Sequence, residues 1–220
     1  MKLNFVKNIQ LDVQNWQNAI NAQGYGVDWE KYIPTDLSIE CIKIKNCIAD
    51  YLNKHYYNAG LIDSYIGKIR NRINTQEIQE DLERLMDCKF PDNIEINVFI
   101  TTFNRAPYNT KDNSFYLRYR GDENDIGKSI TNIYHELMHF LFHWNYWEEC
   151  QSAGLKENQI HDIKESFTVF LNSILIKRNL PIDKGYKIHQ DLRKKIAELQ
   201  KGNENFRHIL EKIIKEVKNT

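Results

Sequence analysis

Cysteine and proline are both scarce in this chain, which has four of each among 220 residues. The cysteines, at positions 41, 47, 88 and 150, are too sparse for a disulfide framework. None of them forms a CxxC pair, so a zinc site built from cysteines is not expected. Cys41, Cys47 and Cys88 fall inside helical patterns, and we expect them to be small hydrophobic side chains that face the core. This usage favours a reducing compartment.

Net charge is also absent, because 30 basic residues balance 30 acidic residues. A dedicated nucleic-acid-binding protein usually carries a marked basic excess, so a nucleic-acid partner is not expected. No stretch approaches the roughly 18 consecutive apolar residues of a membrane span, so no membrane association is expected either. Polar residues interrupt the apolar residues of the N-terminal stretch, unlike those of a signal peptide, which predicts a cytoplasmic protein. Hydrophobic residues make up 41% of the chain, enough for one sizeable core.

Most of the chain has the apolar spacing of helices. Gly24 and Gly26 are expected to follow the first helix, and Thr35 or Asp36 is expected to cap the second. The predicted helices cover about 11–20, 35–58, 61–72, 76–88, 125–141 and 157–178, and two more follow in the C-terminal tail.

Two segments between these helices have the two-residue period of β-strands instead. The first carries apolar residues at every second position, namely Ile94, Ile96, Val98 and Ile100. The second is the segment SFYLRY, residues 114–119. The sequence therefore predicts the α+β class, mostly helical with a small twisted sheet.

The residues with the clearest chemical meaning are His135-Glu136-Leu137-Met138-His139, inside the helix that follows the second strand. Two histidines four residues apart lie on one face of a helix, about 6 Å apart, and both can reach one zinc ion. The glutamate between them is close enough to take a proton from a metal-bound water molecule. The sequence thus predicts a catalytic Zn²⁺ site.

This motif and its surroundings resemble the zincin metallopeptidases, and among them the glutamate-zincin group that includes the thermolysin-like enzymes. The resemblance covers about residues 92–178, although only the pentapeptide is specific. It implies that His135 and His139 bind zinc and that Glu136 is the general base. The third zinc ligand of that group is a glutamate on a later helix, for which Glu165 in IKESFTVF is the best match.

Other third ligands compete with Glu165. His161 and Asp162 begin the same predicted helix, at spacings of four and three residues, and zinc accepts all three ligand types. His143 continues the spacing of the motif histidines. However, it would lie about 12 Å along the helix axis from His135, too far for one zinc ion to bind both easily.

Two supporting roles are less well determined by the sequence. Thermolysin-like enzymes place an aspartate four residues after the third ligand to hold the first histidine, but that position here is Val169. The acceptor that orients His135 must therefore come from elsewhere, and Asp162 is a plausible one. A donor for the oxyanion of the tetrahedral intermediate is also needed, and Tyr186 and His189 are the candidates after the third ligand.

The expected organisation is a zincin-like metal-binding core at 91–180, with helical parts at 1–90 and 181–220 packed on it in one compact unit.

The predicted activity is zinc-dependent hydrolysis of a peptide or protein substrate. In zincins an extended peptide pairs with the strand before the active helix, and SFYLRY is expected to accept it. The alternative is a non-catalytic zincin-like module that binds zinc and acts through protein partners. Glu136 favours catalysis, because a purely structural site does not need it.

Overall fold

The computed structural model describes residues 1–22, 27–121, 125–202 and 205–218. The predicted break at Gly24 and Gly26 lies outside these residues. The described chain is mostly helical and contains one small sheet, which confirms the α+β class. None of the helices in these ranges combines the length and apolar character that a membrane crossing requires.

The strands are β1 (Lys2–Val6), β2 (Glu95–Thr101), β3 (Tyr108–Asn109) and β4 (Ser114–Arg118). The helices before the second strand are α1 (Ile9–Ile20), α2 (Ile39–Lys43), α3 (Lys45–Leu52), α4 (Leu61–Arg72) and α5 (Thr75–Met86). The later helices are α6 (Ile126–Asn145), α7 (Trp147–Ser152), α8 (Glu157–Phe167), α9 (Leu171–Lys177), α10 (Gln190–Lys201) and α11 (Phe206–Lys218).

The chain divides into two compact units. The sheet unit consists of Lys2–Ile73 and Glu95–Ser129, and the helical unit of Met1, Asn74–Ile94 and Ile130–Thr220. Each unit draws on more than one stretch of the chain.

The sheet has the strand order β1-β2-β4-β3, in which β1, β2 and β4 are parallel and β3 is antiparallel to β4. Strand β1 was not predicted, because five residues are too few to show a period against the helical pattern that follows. The outer edge of β4 is partly covered. Strand β3 pairs with Ser114 and Phe115, and Tyr116 N donates a hydrogen bond to Pro107 O over 2.9 Å. The expected substrate strand is therefore not a free edge along its first half.

The prediction of a single helix over 35–58 is wrong, because this segment does not form one continuous helix. It is broken at Ile44, where the backbone is extended, and Ser38 rather than Thr35 or Asp36 caps its first part. Cys41 and Cys47 form a disulfide across the break, with a Cα–Cα distance of 5.2 Å. In a continuous helix these residues would be about 9 Å apart along the axis, too far for a disulfide.

The cysteine side chains also differ from the expectation that they face the core. Cys47 is exposed, and Cys41 and Cys88 are half-buried. The prediction that Cys41 and Cys47 are free thiols facing the core is therefore wrong. The argument from these two residues to a reducing compartment no longer holds, because they are paired.

In the helical unit, α6 carries the motif along a helix whose apolar residues are almost all buried. The predicted helix 157–178 is divided by a 3-10 turn, Thr168–Phe170, between α8 and α9. At this point the carbonyl oxygen of Glu165 accepts hydrogen bonds from two side chains. Thr168 Oγ1 donates to it over 2.8 Å and Arg193 Nη1 over 3.2 Å. The turn places Glu165 near the end of α8, facing α6.

Candidate metal centre

The structure brings His135 and His139 of α6 together with Glu165 of α8. Their ligand atoms all lie within 4.8 Å of one another. His139 Nε2 is 3.2 Å from Glu165 Oε1, and His135 Nε2 is 3.6 Å from Glu165 Oε2. Ligand atoms that share one tetrahedral zinc ion at about 2.0–2.2 Å lie about 3.3–3.6 Å apart. The donor types suit zinc, the two histidine–glutamate distances are close to this spacing, and the group could hold a metal ion.

The three side chains are shielded from solvent to different degrees. The side chain of His139 is 2% exposed and that of Glu165 is 8% exposed, whereas that of His135 is 16% exposed. The two imidazole rings meet edge to face, with centroids 4.3 Å apart, as expected for histidines one helical turn apart. The centre is thus buried on the side of His139 and more accessible at His135.

His135 is held by Asp183, a residue that sequence reasoning did not identify. Asp183 Oδ2 lies 2.6 Å from His135 Nδ1. A proton on Nδ1 is shared with this carboxylate, so Nε2 is the ring nitrogen that faces the Glu165 side of the centre. The carboxylate takes the role expected of Asp162, which instead meets His189 Nε2 at 3.0 Å. The expectation for Asp162 is therefore wrong.

Asp183 is in turn fixed by Arg193 of α10, whose side chain is 4% exposed. Arg193 Nη2 donates to Asp183 Oδ1 over 2.9 Å and to Asp183 O over 2.7 Å. The other amino group, Nη1, contacts Glu165 O and Thr168 Oγ1. One guanidinium thus ties the loop of Asp183 to the helix end that carries Glu165. Gly185 makes room for it, since a Cβ there would lie 2.7 Å from the guanidinium.

The protonation states follow from burial and from these charges. Burial alone would lower the pKa of His135, but the charge and hydrogen bond of Asp183 raise it to about 9. Burial would raise the pKa of Asp183, but His135 and Arg193 lower it to about 2. Burial lowers the pKa of His139 to about 3, despite the nearby Glu165. His139 is therefore neutral at pH 7 and Asp183 is ionised.

Glu136 is half-buried beside the two histidines. Burial raises its pKa to about 7, although the charge of His135 acts in the opposite direction. A carboxylate with a pKa near neutrality can both accept and return a proton at physiological pH. This is the behaviour required of a general base that later acts as an acid.

Among the described residues, His161 and His143 do not join the ligand group. The His161 ring packs against Trp147 with centroids 4.9 Å apart, and its Nε2 is 3.9 Å from Glu157 Oε1. The His143 ring packs on the same Trp147, at 4.8 Å. Of the candidates for the third metal ligand, Glu165 is the one that lies beside His135 and His139.

The two candidate oxyanion donors differ in their surroundings. His189 is buried, and its Nε2 meets Asp162, so it holds the start of α10 to α8. Tyr186 is half-buried and lies in the loop that also carries Asp183, three residues further along. The ring of Tyr186 also contacts that of His189, with centroids 6.0 Å apart, so the two candidates are neighbours.

Lys164 is a further residue of the centre that the sequence did not reveal. Its Nζ donates a hydrogen bond to Glu165 Oε1 over 2.8 Å, and its side chain is 1% exposed. Its position in the sequence could have predicted its burial, because it lies on the same helix face as Ile160 and Phe167, which are buried. No such spacing predicts Asp183 and Arg193, since a loop and a distant helix contribute them.

We compared the chain with protein-family models, with curated proteins and with solved structures, and none of the three comparisons found a match.

Proposed function

We propose that this chain is a zinc-dependent peptidase of the zincin type, with His135, His139 and Glu165 as zinc ligands. The observation that carries this proposal is the convergence of two histidine nitrogens on one carboxylate, at 3.2 Å and 3.6 Å. The contact between His135 and Asp183 adds support, because zinc-binding histidines usually share their other ring nitrogen with a carboxylate or carbonyl.

Glu136 supports a catalytic centre over a structural one. Structural zinc sites are usually closed by four protein ligands, whereas catalytic sites have three and leave a position open to water. The group found here has three members among the described residues. A half-buried glutamate that is not a ligand still costs desolvation free energy, and a structural site gives no reason to retain it. The non-catalytic zinc-binding module is therefore the second reading.

Each residue of the centre has a defined task in the proposed reaction. When bound, zinc supplies the Lewis acidity that activates water and the substrate carbonyl. Glu136 accepts the proton of the attacking water and then gives it to the leaving amine. Asp183 keeps Nε2 of His135 directed at the centre. Tyr186 and His189 are the candidate donors to the oxyanion of the tetrahedral intermediate.

Replacement of the base tests this proposal. Glu136→Gln keeps the side-chain shape, so we expect unchanged zinc content and a fall in peptide hydrolysis of about 10²- to 10⁴-fold. The assay is digestion of a peptide library with and without a chelator, and the exposed Glu157→Gln is the matched control. Hydrolysis that survives both the chelator and Glu136→Gln would contradict the proposal. Bound zinc without cleavage of any peptide would favour the binding-module reading.

A further inference from the structure

Lys164 brings a buried positive charge into direct contact with a proposed metal ligand. Its Nζ is 2.8 Å from Glu165 Oε1, and its side chain is 1% exposed. The position is apolar in character, since Ile160 and Phe167 on the same face of α8 are buried. A hydrophobic residue would fill it without desolvating a charge, whereas a buried ammonium is tolerated only beside a negative charge. The charge of Lys164 therefore belongs to the centre.

This charge acts on the ligands in two opposing ways. The ammonium of Lys164 donates to Glu165 Oε1 over 2.8 Å, which stabilises the ionised carboxylate and holds its side chain. Lys164 thus keeps Glu165 ionised and in place, which prepares the site for a cation. However, its own charge repels any cation that binds to the same carboxylate.

We propose that Lys164 is the internal counter-ion of Glu165 and weakens divalent-metal binding, so that the centre fills with zinc only when free zinc is plentiful. The inference rests on the proposed function, because it concerns regulation of the same centre. It makes the peptidase latent in zinc-poor surroundings.

Whether removal of Lys164 raises or lowers the zinc affinity depends on how strongly its charge repels the bound ion. An ion on either oxygen of Glu165 would lie within about 7 Å of Nζ, given metal–oxygen bonds of about 2.1 Å and the contact of 2.8 Å. Charges of +2 and +1 at that separation repel each other. At an effective dielectric constant of about 20, this repulsion lowers the zinc affinity by more than a factor of ten. Loss of Lys164 would loosen the Glu165 side chain, but Arg193 still holds its backbone carbonyl at 3.2 Å. The repulsion therefore dominates.

The test compares zinc affinity in the wild type, Lys164→Met and Lys177→Met, each measured by competition with a chromophoric chelator. Lys177 lies on α9 of the same unit and is exposed, so its replacement removes a positive charge away from the centre. We expect Lys164→Met to bind zinc at least tenfold more tightly than the wild type, and Lys177→Met to bind within twofold of it. Lys164→Gln is neutral as well, and it replaces Lys164→Met if that variant does not fold.

Thermal unfolding adds a second readout that does not depend on activity. Without zinc, Lys164→Met should melt below the wild type, because Glu165 loses its counter-ion. With saturating zinc, its melting temperature should rise by more than that of the wild type. Equal or weaker zinc affinity in both neutral variants would overturn the inference while leaving the proposed function intact. Absence of zinc binding in the wild type and in the variants alike would overturn the proposed function as well.

Discussion

Asp183 Oδ2 lies 2.6 Å from His135 Nδ1, and this contact directs the opposite ring nitrogen toward Glu165. The two residues are 48 positions apart in the chain. Because Arg193 binds both Asp183 and the backbone of Glu165, the orientation of a histidine on α6 depends on a loop and on α10. The centre is therefore built from four segments of the helical unit.

Asp183→Asn tests the orienting role. The amide has a similar shape but no charge, so we expect zinc affinity to fall by about 10- to 100-fold, as is typical when such a partner is lost. Chelator competition measures the change. The control is Asp191→Asn, which removes an exposed carboxylate from the first turn of α10. Unchanged zinc affinity in Asp183→Asn would show that this carboxylate does not orient the ligand.

The pH dependence of zinc binding follows from the pKa of His135. Burial lowers this pKa, but Asp183 raises it from 6.5 to about 9 in the zinc-free protein. Zinc must then displace a proton from His135 at neutral pH, so affinity should rise by up to about tenfold per pH unit and level off near pH 9. Competition titrations at several pH values measure this slope. A flat profile from pH 7 to 9 would contradict the assignment.

The stability of the zinc-free protein should change with pH in the opposite direction. The folded-state pKa of His135 is raised, so its contribution to stability is complete below pH 6.5 and is lost as the pH rises toward 9. Burial also raises the pKa of Glu136, from 4.5 to about 7, which favours the folded state at low pH in the same way. The lowered pKa of His139 acts in the opposite direction, but only up to about pH 7. The melting temperature of the zinc-free protein should therefore fall between pH 7 and 9, where the raised pKa of His135 acts. A rise over this range would contradict the shift of His135.

Gly185→Ala tests the packing of the loop on Arg193. Gly185 has φ +60° and Gly60 has φ +67°, so an alanine at either position adopts a left-handed backbone that costs about 1–2 kcal/mol. Only at Gly185 does the added Cβ meet the guanidinium, at 2.7 Å, while Gly60 has nothing within 4 Å. We expect a larger loss in the free energy of unfolding for Gly185→Ala than for Gly60→Ala, and weaker zinc binding only for Gly185→Ala. Equal losses, with zinc affinity unchanged, would contradict this account.

How far the sequence predicts the centre depends on how local each residue is. His135, Glu136 and His139 occupy one helical turn, so their spacing alone places them together. Glu165 was the best of several candidates for the third ligand. The sequence could not exclude His161 and Asp162, because zinc accepts all three ligand types. Only tertiary packing separates them, since His161 packs on Trp147 and Asp162 meets His189.

The fold shows the same limit. The α+β class follows from the two periods of apolar residues, which are local. The break in the predicted helix 35–58 is different, because it lies between Cys41 and Cys47, whose disulfide is not indicated by the apolar spacing. Strand β1 is stabilised by pairing with β2, more than 90 positions away in the chain, and its five residues show no period of their own.

Reduction of the Cys41–Cys47 disulfide should destabilise the protein without affecting the metal centre. The bond closes a short loop, with a sequence separation of 6, for which chain entropy predicts about 2 kcal/mol. We expect urea denaturation in a thiol reductant to show a loss of that size, and zinc affinity to stay the same. The double variant Cys41→Ser, Cys47→Ser should be insensitive to the reductant. Free energies of unfolding that are equal with and without reductant would contradict the prediction.

The most direct test of the central claim is the zinc content of the protein after equilibrium dialysis against a range of zinc concentrations. The wild type and His161→Ala should each bind about one zinc ion per chain at saturation, because His161 is not a ligand in this account. His139→Ala should remain folded and bind almost none. Glu165→Gln, which keeps an oxygen that can accept from Lys164, should also bind almost none. Saturable binding lost in His161→Ala, or an absence of zinc from the wild type at saturating concentrations, would contradict the His135, His139 and Glu165 centre.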